Sequence, residues 1–276
     1  MKNLIRSFLV LLTIATITAC TDNDDKQEGT ASIAVRLTDK PGDYDKVNIE
    51  VTDVLIKRAK ADGDESLNDE EFGWESIGTV NTGIYDLLEL TGGIDTLLVS
   101  GDISAGKIEQ IRLVLGDNNT VEKDGSVYDL KTPSAEQSGL KIKIDDIFEP
   151  GSTHNFLLDF DVSRSIIDAG NSGNLILKPV IRASDESNSG KIEGMVSPST
   201  FQSIVTATNG EITVSAYVDK RGKFVLNGMP EGSYEITVTP ATDSGYQEKT
   251  VENVEVLVRK SADLGIIELE ELPVTG

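Results

Sequence analysis

The chain has almost none of the side chains from which metal centres and nucleophilic active sites are usually assembled. It contains one cysteine, Cys20, and one histidine, His154, in 276 residues. A single thiol rules out an internal disulfide framework and a multi-cysteine zinc site. A serine-histidine triad would have to be built on His154 alone, and with no partner histidine the sequence favours a hydrogen-bonded or exposed loop imidazole there. Aromatic residues make up only 5% of the chain, with Trp74 the lone tryptophan, so there are few flat rings on which a sugar could stack. Basic residues are outnumbered, 25 against 47 acidic, for a net charge of −22, and such a surface repels nucleic acid and anionic lipid. No glycine-rich loop follows a strand and opens a helix to cradle phosphate, and no cofactor is expected. Apolar stripes at helical spacing are few, and nothing beyond residue 20 could span a bilayer.

What is present starts at the N-terminus. Lys2 and Arg6 flank the uncharged, mostly apolar stretch Ser7 to Ala19, which reads as a secretory signal peptide. The stretch is shorter than the roughly 20 residues a membrane-crossing helix needs. Ile17-Thr18-Ala19-Cys20 resembles a bacterial lipobox, which predicts cleavage between Ala19 and Cys20 and acylation of the Cys20 sulfur. The competing reading is an unmodified exported thiol, which would need some other explanation. Each buried methylene of an acyl chain contributes about 0.8 kcal/mol, so a multiply acylated cysteine holds a soluble domain at a membrane. The run Asp22-Asn23-Asp24-Asp25 looks like the tag that sends some lipoproteins to the outer face of the outer membrane, although it also suits a solvated linker. Cleavage would remove two basic residues and no acidic one. The expected location is the outer membrane, lipid-anchored and facing the cell exterior.

The remainder reads as all-β, two β-sandwich domains in tandem after a lipoprotein signal peptide. Residues 1–19 are the signal peptide and 20–29 the lipidated N-terminus with its acidic linker. A first sandwich is expected over 30–184. Ile33, Val35 and Leu37 alternate with Ser32, Ala34 and Arg36, the period of a strand with one buried face. Val47, Ile49 and Val51 then shift phase to Val54 and Ile56, which predicts a β-bulge near Thr52-Asp53. Ile111, Leu113 and Leu115 form another buried stripe, followed by Leu140, Ile142 and Ile144, then Phe156, Leu158, Phe160 and Val162. Ser163 to Ala169 predicts a short helix, and Leu175 to Arg182 a last strand with Pro179 making it an edge or a bulge.

Five stretches of this domain, Leu37–Asp45, Tyr85–Leu90, Gln110–Leu113, Leu130–Ser134 and Leu177–Arg182, together resemble a family of bacterial lipoprotein domains known as domain of unknown function 4382. The resemblance implies a β-sandwich on a lipoprotein and brings no activity with it. Residues 185–190 read as a linker. Beyond them, 191–269 holds about seven strand patterns, and Gly222–Val238 is similar to carboxypeptidase regulatory-like domains, with Met229 where leucine is more usual. That likeness implies a transthyretin-like accessory sandwich, in a fold group that includes carbohydrate-binding modules. Residues 270–276 form a tail. Its end, Leu272-Pro273-Val274-Thr275-Gly276, spells a sortase motif without the apolar and basic segment that enzyme requires, so it reads as chance.

Candidate binding residues are few. Trp74, Tyr44, Tyr85 and Tyr128 are the rings on which a surface glycan could stack, although each also suits packing. Asp39, Asp43 and Asp45 are the carboxylates that could hold calcium, although Asp39 also suits a hydrogen bond to its own turn. The run Asp62 to Glu71 imitates the opening of a calcium loop but has Leu67 where the turn needs glycine. Asp159 and Asp161 share a strand face at a spacing some glycosidases use, yet a solvated face is the favoured reading. The sequence therefore predicts a non-enzymatic outer-membrane surface lipoprotein acting as an envelope structural or interaction component. The alternative is a carbohydrate-binding protein. Its partners would be the membrane, through the lipid, and a surface glycan or envelope protein, with no nucleic acid.

Overall fold

The computed structural model describes residues 29–40, 42–59, 73–133, 139–169 and 175–273. Ala19, Cys20, the acidic linker, the Asp62 to Glu71 loop and the last three residues of the tail lie outside the described residues. Among the described residues no helix is long and apolar enough to cross a membrane.

The first unit runs through β1 (Thr30–Lys40), β2 (Lys46–Arg58), β3 (Trp74–Ser76), β4 (Gly83–Asp86), β5 (Thr96–Ser104), β6 (Gly106–Leu115), β7 (Thr120–Lys123), β8 (Ser126–Lys131), β9 (Leu140–Phe148), β10 (Thr153–Asp161), β11 (Ile166–Asp168), β12 (Leu175–Leu177) and β13 (Ile181–Asp185). A four-stranded sheet in the order β13-β10-β1-β5 faces a second one in which β11-β12-β8-β7-β2-β6-β9 are neighbours and β3 and β4 also pair with β2. One buried cluster takes Ile33, Val35, Leu37 and Phe156 from the first sheet and Ile49, Val54, Ile111 and Leu113 from the second. The alternation read from β1 and β2 is therefore the inner face of a sandwich. The bulge lies where the phase shift puts it: register with β6 slips between Val51 and Asp53, so that Val51 and Val54 are both fully buried. The side chain of Asp53 accepts from the Val54 N–H at 2.8 Å, which settles the extra residue.

Two expectations change. The helix read over 163–169 is a single turn, α1 (Val162–Ser165), capped by Asp161 Oδ1 on the Arg164 N–H at 3.1 Å. Ile166 and Ile167 are β-branched and continue as strand β11. The strand read over 175–182 is two strands, one in each sheet. Pro179 has no N–H for a ladder, so the chain changes sheets there. Lys178 N–H donates to the Ser165 carbonyl at 2.7 Å, and Val180 N–H donates to Ser165 Oγ at 2.8 Å.

The second unit is a smaller sandwich of β14 (Gly190–Ser197), β15 (Ser203–Thr208), β16 (Thr213–Tyr217), β17 (Lys223–Met229), β18 (Gly232–Pro240), β19 (Lys249–Val256) and β20 (Ser261–Glu268). Its sheets are β17-β14-β20 and β16-β15-β18-β19. Tyr234, Ile236 and Val238 point into the core as their alternation requires, and the Tyr234 hydroxyl donates to the Pro230 carbonyl at 3.0 Å.

The two units touch through the outer face of the β1-β10-β13 sheet. Arg182 donates through Nη1 to the Gly228 carbonyl at 2.6 Å and through Nη2 to the Asn227 carbonyl at 3.0 Å and Asp159 Oδ2 at 3.2 Å. Gly93 has a φ of +89° and lies so close to Val225 that a Cβ there would stand 2.7 Å from the Val225 Cβ. The segment after Asp185 is a bonded turn. Asn188 N–H and Ser189 Oγ both donate to the Asp185 carbonyl, and Arg259 donates to the carbonyls of Ser187 and Ser189. Charged hydrogen bonds of this kind contribute about 1.5–3 kcal/mol each when sheltered, and this guanidinium is partly solvated. Arg182→Ala is therefore expected to weaken the joint by about 2 kcal/mol and to split the unfolding scan of the full chain into two transitions. A variant scan superimposable on the parent would show that the guanidinium does not hold the units together.

Candidate functional site

The lone histidine sits at the heart of the best-defined polar constellation. His154 and Phe156 lie two residues apart on β10 and so share the inner face, Ser152 stands just ahead of that strand, and Asp185 enters from β13, paired opposite Phe156. His154 Nδ1 is 2.7 Å from Asp185 Oδ2, and Nε2 is 3.0 Å from Ser152 Oγ. A carboxylate only accepts, so in the neutral ring Nδ1–H donates to Asp185 and Nε2 accepts the Ser152 hydroxyl. Asp146, on β9, brings Oδ2 to 3.6 Å from the same Nδ1. The ring lies flat on Phe148, centroids 3.9 Å apart and planes 9° apart, and is only 6% exposed.

These bond lengths match those of a serine-histidine-aspartate triad, but the groups have structural work. Asp185 Oδ1 accepts the N–H groups of Ser187 and Asn155, and its Oδ2 accepts the Ser187 hydroxyl as well as the imidazole. Phe148 covers one face of the ring. The arrangement ties β10, β13 and the turn into the second unit. Among the described residues it is also the one group of three histidine or acidic side chains whose ligand atoms all lie within 4.8 Å of one another.

A second feature lies between the two units, a groove of about 760 Å³. Tyr44 and Ile94 line it from the first unit, and Phe201 and Tyr217 from the second, with carboxylates at Asp43 and Asp219. Burial, reinforced by the Asp43 carboxylate, pushes the Tyr217 hydroxyl above the ordinary tyrosine value. Phe201 leans on Tyr246 with ring centroids 4.9 Å apart.

The ring candidates from the sequence do not assemble. Trp74 is half-buried with the Arg112 guanidinium 3.9 Å over its ring and Lys57 Nζ at 5.7 Å. Tyr85 is half-buried and its hydroxyl donates to the Asn81 carbonyl. Tyr128 is exposed on β8. Of the four only Tyr44 lines the groove, and its companions there, Phe201 and Tyr217, belong to the other unit. The carboxylates Asp39, Asp43 and Asp45 are also kept apart. Asp39 is buried because β1 carries it inward, whereas Asp43 and Asp45 are exposed in the following turn, where Asp45 accepts the Gly125 N–H at 3.3 Å. Asp159 pairs with Arg182 and Asp161 caps α1. Sequence reasoning missed Asp146, Ser152 and Asp185. The two-residue spacing of Ser152 and His154 was legible, whereas the approach of Asp146 and Asp185 depends on sheet register.

Residues 30–179 match the family model described as Domain of unknown function (DUF4382). No curated protein matches the chain. Among solved structures, the minor pilin GBS52 of Streptococcus agalactiae is similar at 12% identity and a TM-score of 0.26, over 90% of this chain and 98% of that one. The shaft pilin SpaA of Lactobacillus rhamnosus GG is similar at 9% identity and a TM-score of 0.23, over 91% and 100%. A type II cohesin-X-dockerin complex of Acetivibrio cellulolyticus matches at 19% identity and a TM-score of 0.24, over 30% of this chain and 58% of that one, a little over half its length. At these values the folds coincide only loosely, and no role follows from the likeness.

Asp39 remains as a buried acid, 5% exposed, and neither carboxyl oxygen has a hydrogen-bond partner. Its pKa is pushed up to about 9, first by burial, then by the carboxylates of Asp159, Asp161 and Asp86, and the nearby Val162 N–H lowers it only in part. The folded chain thus keeps a proton that the unfolded chain loses near the ordinary aspartate value of 3.8. Stability from this group is fully present below that value and is lost as pH rises toward about 9, at up to about 1.4 kcal/mol per pH unit. Asp39→Asn is expected to melt several degrees above the parent at pH 8 and close to it at pH 4. Parallel curves of melting temperature against pH would show that Asp39 is not protonated in the fold.

Proposed function

The chain belongs to the DUF4382 family, and from that premise we propose that it is a non-enzymatic, lipid-anchored component displayed at the outer-membrane surface, where it serves an envelope structural or interaction role. The observation that carries this reading is the joint. Arg182 and the bonded turn after Asp185 tie the two sandwiches together through hydrogen bonds, a form suited to holding a surface away from a membrane. The lipobox at Ile17 to Cys20 supplies the tether and the acidic run after it the outward address. The second unit is read as a carboxypeptidase regulatory-like accessory sandwich. The one serine-histidine-aspartate set is built into the strand framework, in keeping with a structural role.

Two measurements test the anchor and the address. Cys20→Ala is expected to move the protein from the detergent-extracted membrane fraction to the soluble one, and protease added to intact cells is expected to remove the parent protein. Membrane retention of the variant defeats the lipid anchor. Protection from external protease defeats surface display.

A second reading, recognition of a surface glycan, is favoured by the groove between the units. Aromatic rings from both units flank it, and carboxylates stand at its edge to accept sugar hydroxyls. A glycan array is expected to give a ligand whose binding falls at least about tenfold in Tyr217→Ala, the loss of one stacking ring at about 1.4 kcal/mol. An array without a hit, or a hit untouched by Tyr217→Ala and Tyr44→Ala, removes this reading.

A further inference from the structure

We propose that Asp146, His154 and Asp185 form a binding site for a divalent transition metal, with zinc as the metal its donors suit best. Both carboxylates converge on one nitrogen. Asp185 Oδ2 lies 2.7 Å and Asp146 Oδ2 3.6 Å from His154 Nδ1. A neutral imidazole has a single proton there at most, and Asp185 takes it, so Asp146 faces a nitrogen with nothing to donate to it. Asp146 is nevertheless held in place, because its Oδ1 accepts the Ile147 N–H at 2.8 Å and this turns Oδ2 toward the ring.

A zinc ion satisfies all three groups. Ligand atoms about 2.0–2.2 Å from a tetrahedral zinc stand roughly 3.3 Å apart. The Asp146 separation already has that span, and the Asp185 contact has to open by about 0.6 Å to admit the ion. One imidazole with two carboxylates is an oxygen- and nitrogen-rich set that suits zinc ahead of softer metals. Asp146 is a quarter exposed while Asp185 and His154 are buried, so the fourth position opens to solvent on the Asp146 side. The chain's negative charge favours cation entry.

The surroundings also support metallation. When the metal takes Nδ1, the ring's one proton must reside on Nε2, and Ser152 Oγ at 3.0 Å is placed to accept it. The same hydroxyl donates to Nε2 in the metal-free state, so Ser152 satisfies both tautomers. Phe148 fixes the plane of the ring. A hydroxyl that accepts from the far ring nitrogen and an imidazole locked in its plane are what metal-binding histidines usually require. The site would join β9, β10 and β13 at one end of the first sandwich.

The chain has only one histidine, so its imidazole gives one set of nitrogen resonances and reports the site without ambiguity. Untagged full-length protein is stripped with chelator and titrated with zinc chloride. The expected result is a proton on Nδ1 before zinc and on Nε2 after it, one zinc retained per chain after gel filtration, and a melting temperature that rises with zinc concentration. Asp146→Asn leaves the Asp185, His154 and Ser152 bonds in place and is expected to weaken zinc binding at least about tenfold, and Ser152→Ala by about 10–100-fold. Imidazole resonances indifferent to zinc overturn the proposal. So does zinc retained equally by Asp146→Asn, which would assign the metal to the acidic surface.

Discussion

The guanidinium of Arg182 is the contact on which the shape of this molecule depends. It belongs to β13, the last strand of the first sandwich, and reaches out of that sheet to two carbonyls at the end of β17 while held by Asp159 on β10. Three residues later the same strand carries Asp185, which turns inward to the imidazole and caps the turn leading into β14. A five-residue strand therefore does two jobs on its two faces, and the period of two that separates them is the ordinary pleat. A longer or polar-lined connection would let the units swing, as separate domains do by default. Here the connection is a hydrogen-bonded turn, and the facing surfaces meet at Gly93 and Gly228, where a side chain would collide with Val225 or Ser184.

Partly buried ion pairs and polar contacts of this sort add little net stability compared with apolar packing, because desolvation offsets most of the attraction. What they supply is a single relative orientation. Arg182 has to find two carbonyls and a carboxylate at once, and a slipped joint leaves them unmet. Leu157, buried on the outer face of the sheet, adds the apolar part of the contact. The balance differs at Asp39. There a carboxyl is buried beside three like charges, so the fold keeps it protonated and gives up stability as the pH rises.

The sandwich architecture was legible because alternation is a local signal. The stripes Ile33-Val35-Leu37, Ile111-Leu113 and Tyr234-Ile236-Val238 each lie on a buried face, and the phase slip at Thr52-Asp53 is a bulge. The crossing at Pro179 was half legible: the missing N–H was noticed, but its consequence, a change of sheet, depends on Ser165 waiting to satisfy Lys178 and Val180. The helix expected over 163–169 stops after one turn because the β-branched Ile166 and Ile167 favour the strand that follows, where they pair with β12. The polar constellation was least legible. Ser152 and His154 are neighbours in sequence, while Asp146 and Asp185 arrive from strands whose register is set by the whole sheet. The groove was illegible for the same reason, since Tyr44 comes to line one groove with Phe201 and Tyr217 only through the docking of two units.

These observations bear on one another through β13. Any movement of that strand relative to β10 disturbs both faces together, pulling Arg182 from the second unit and Asp185 from the imidazole. Burial of His154 under Phe148 then matters beyond local packing: it anchors the inner face of the strand whose outer face positions the neighbouring sandwich. The polar cluster at the end of the first core and the contacts of the joint are, in this geometry, built on the two faces of a single strand. The proposed display role depends on that element because an orientation set at one sandwich reaches the groove only if the strand between them does not yield.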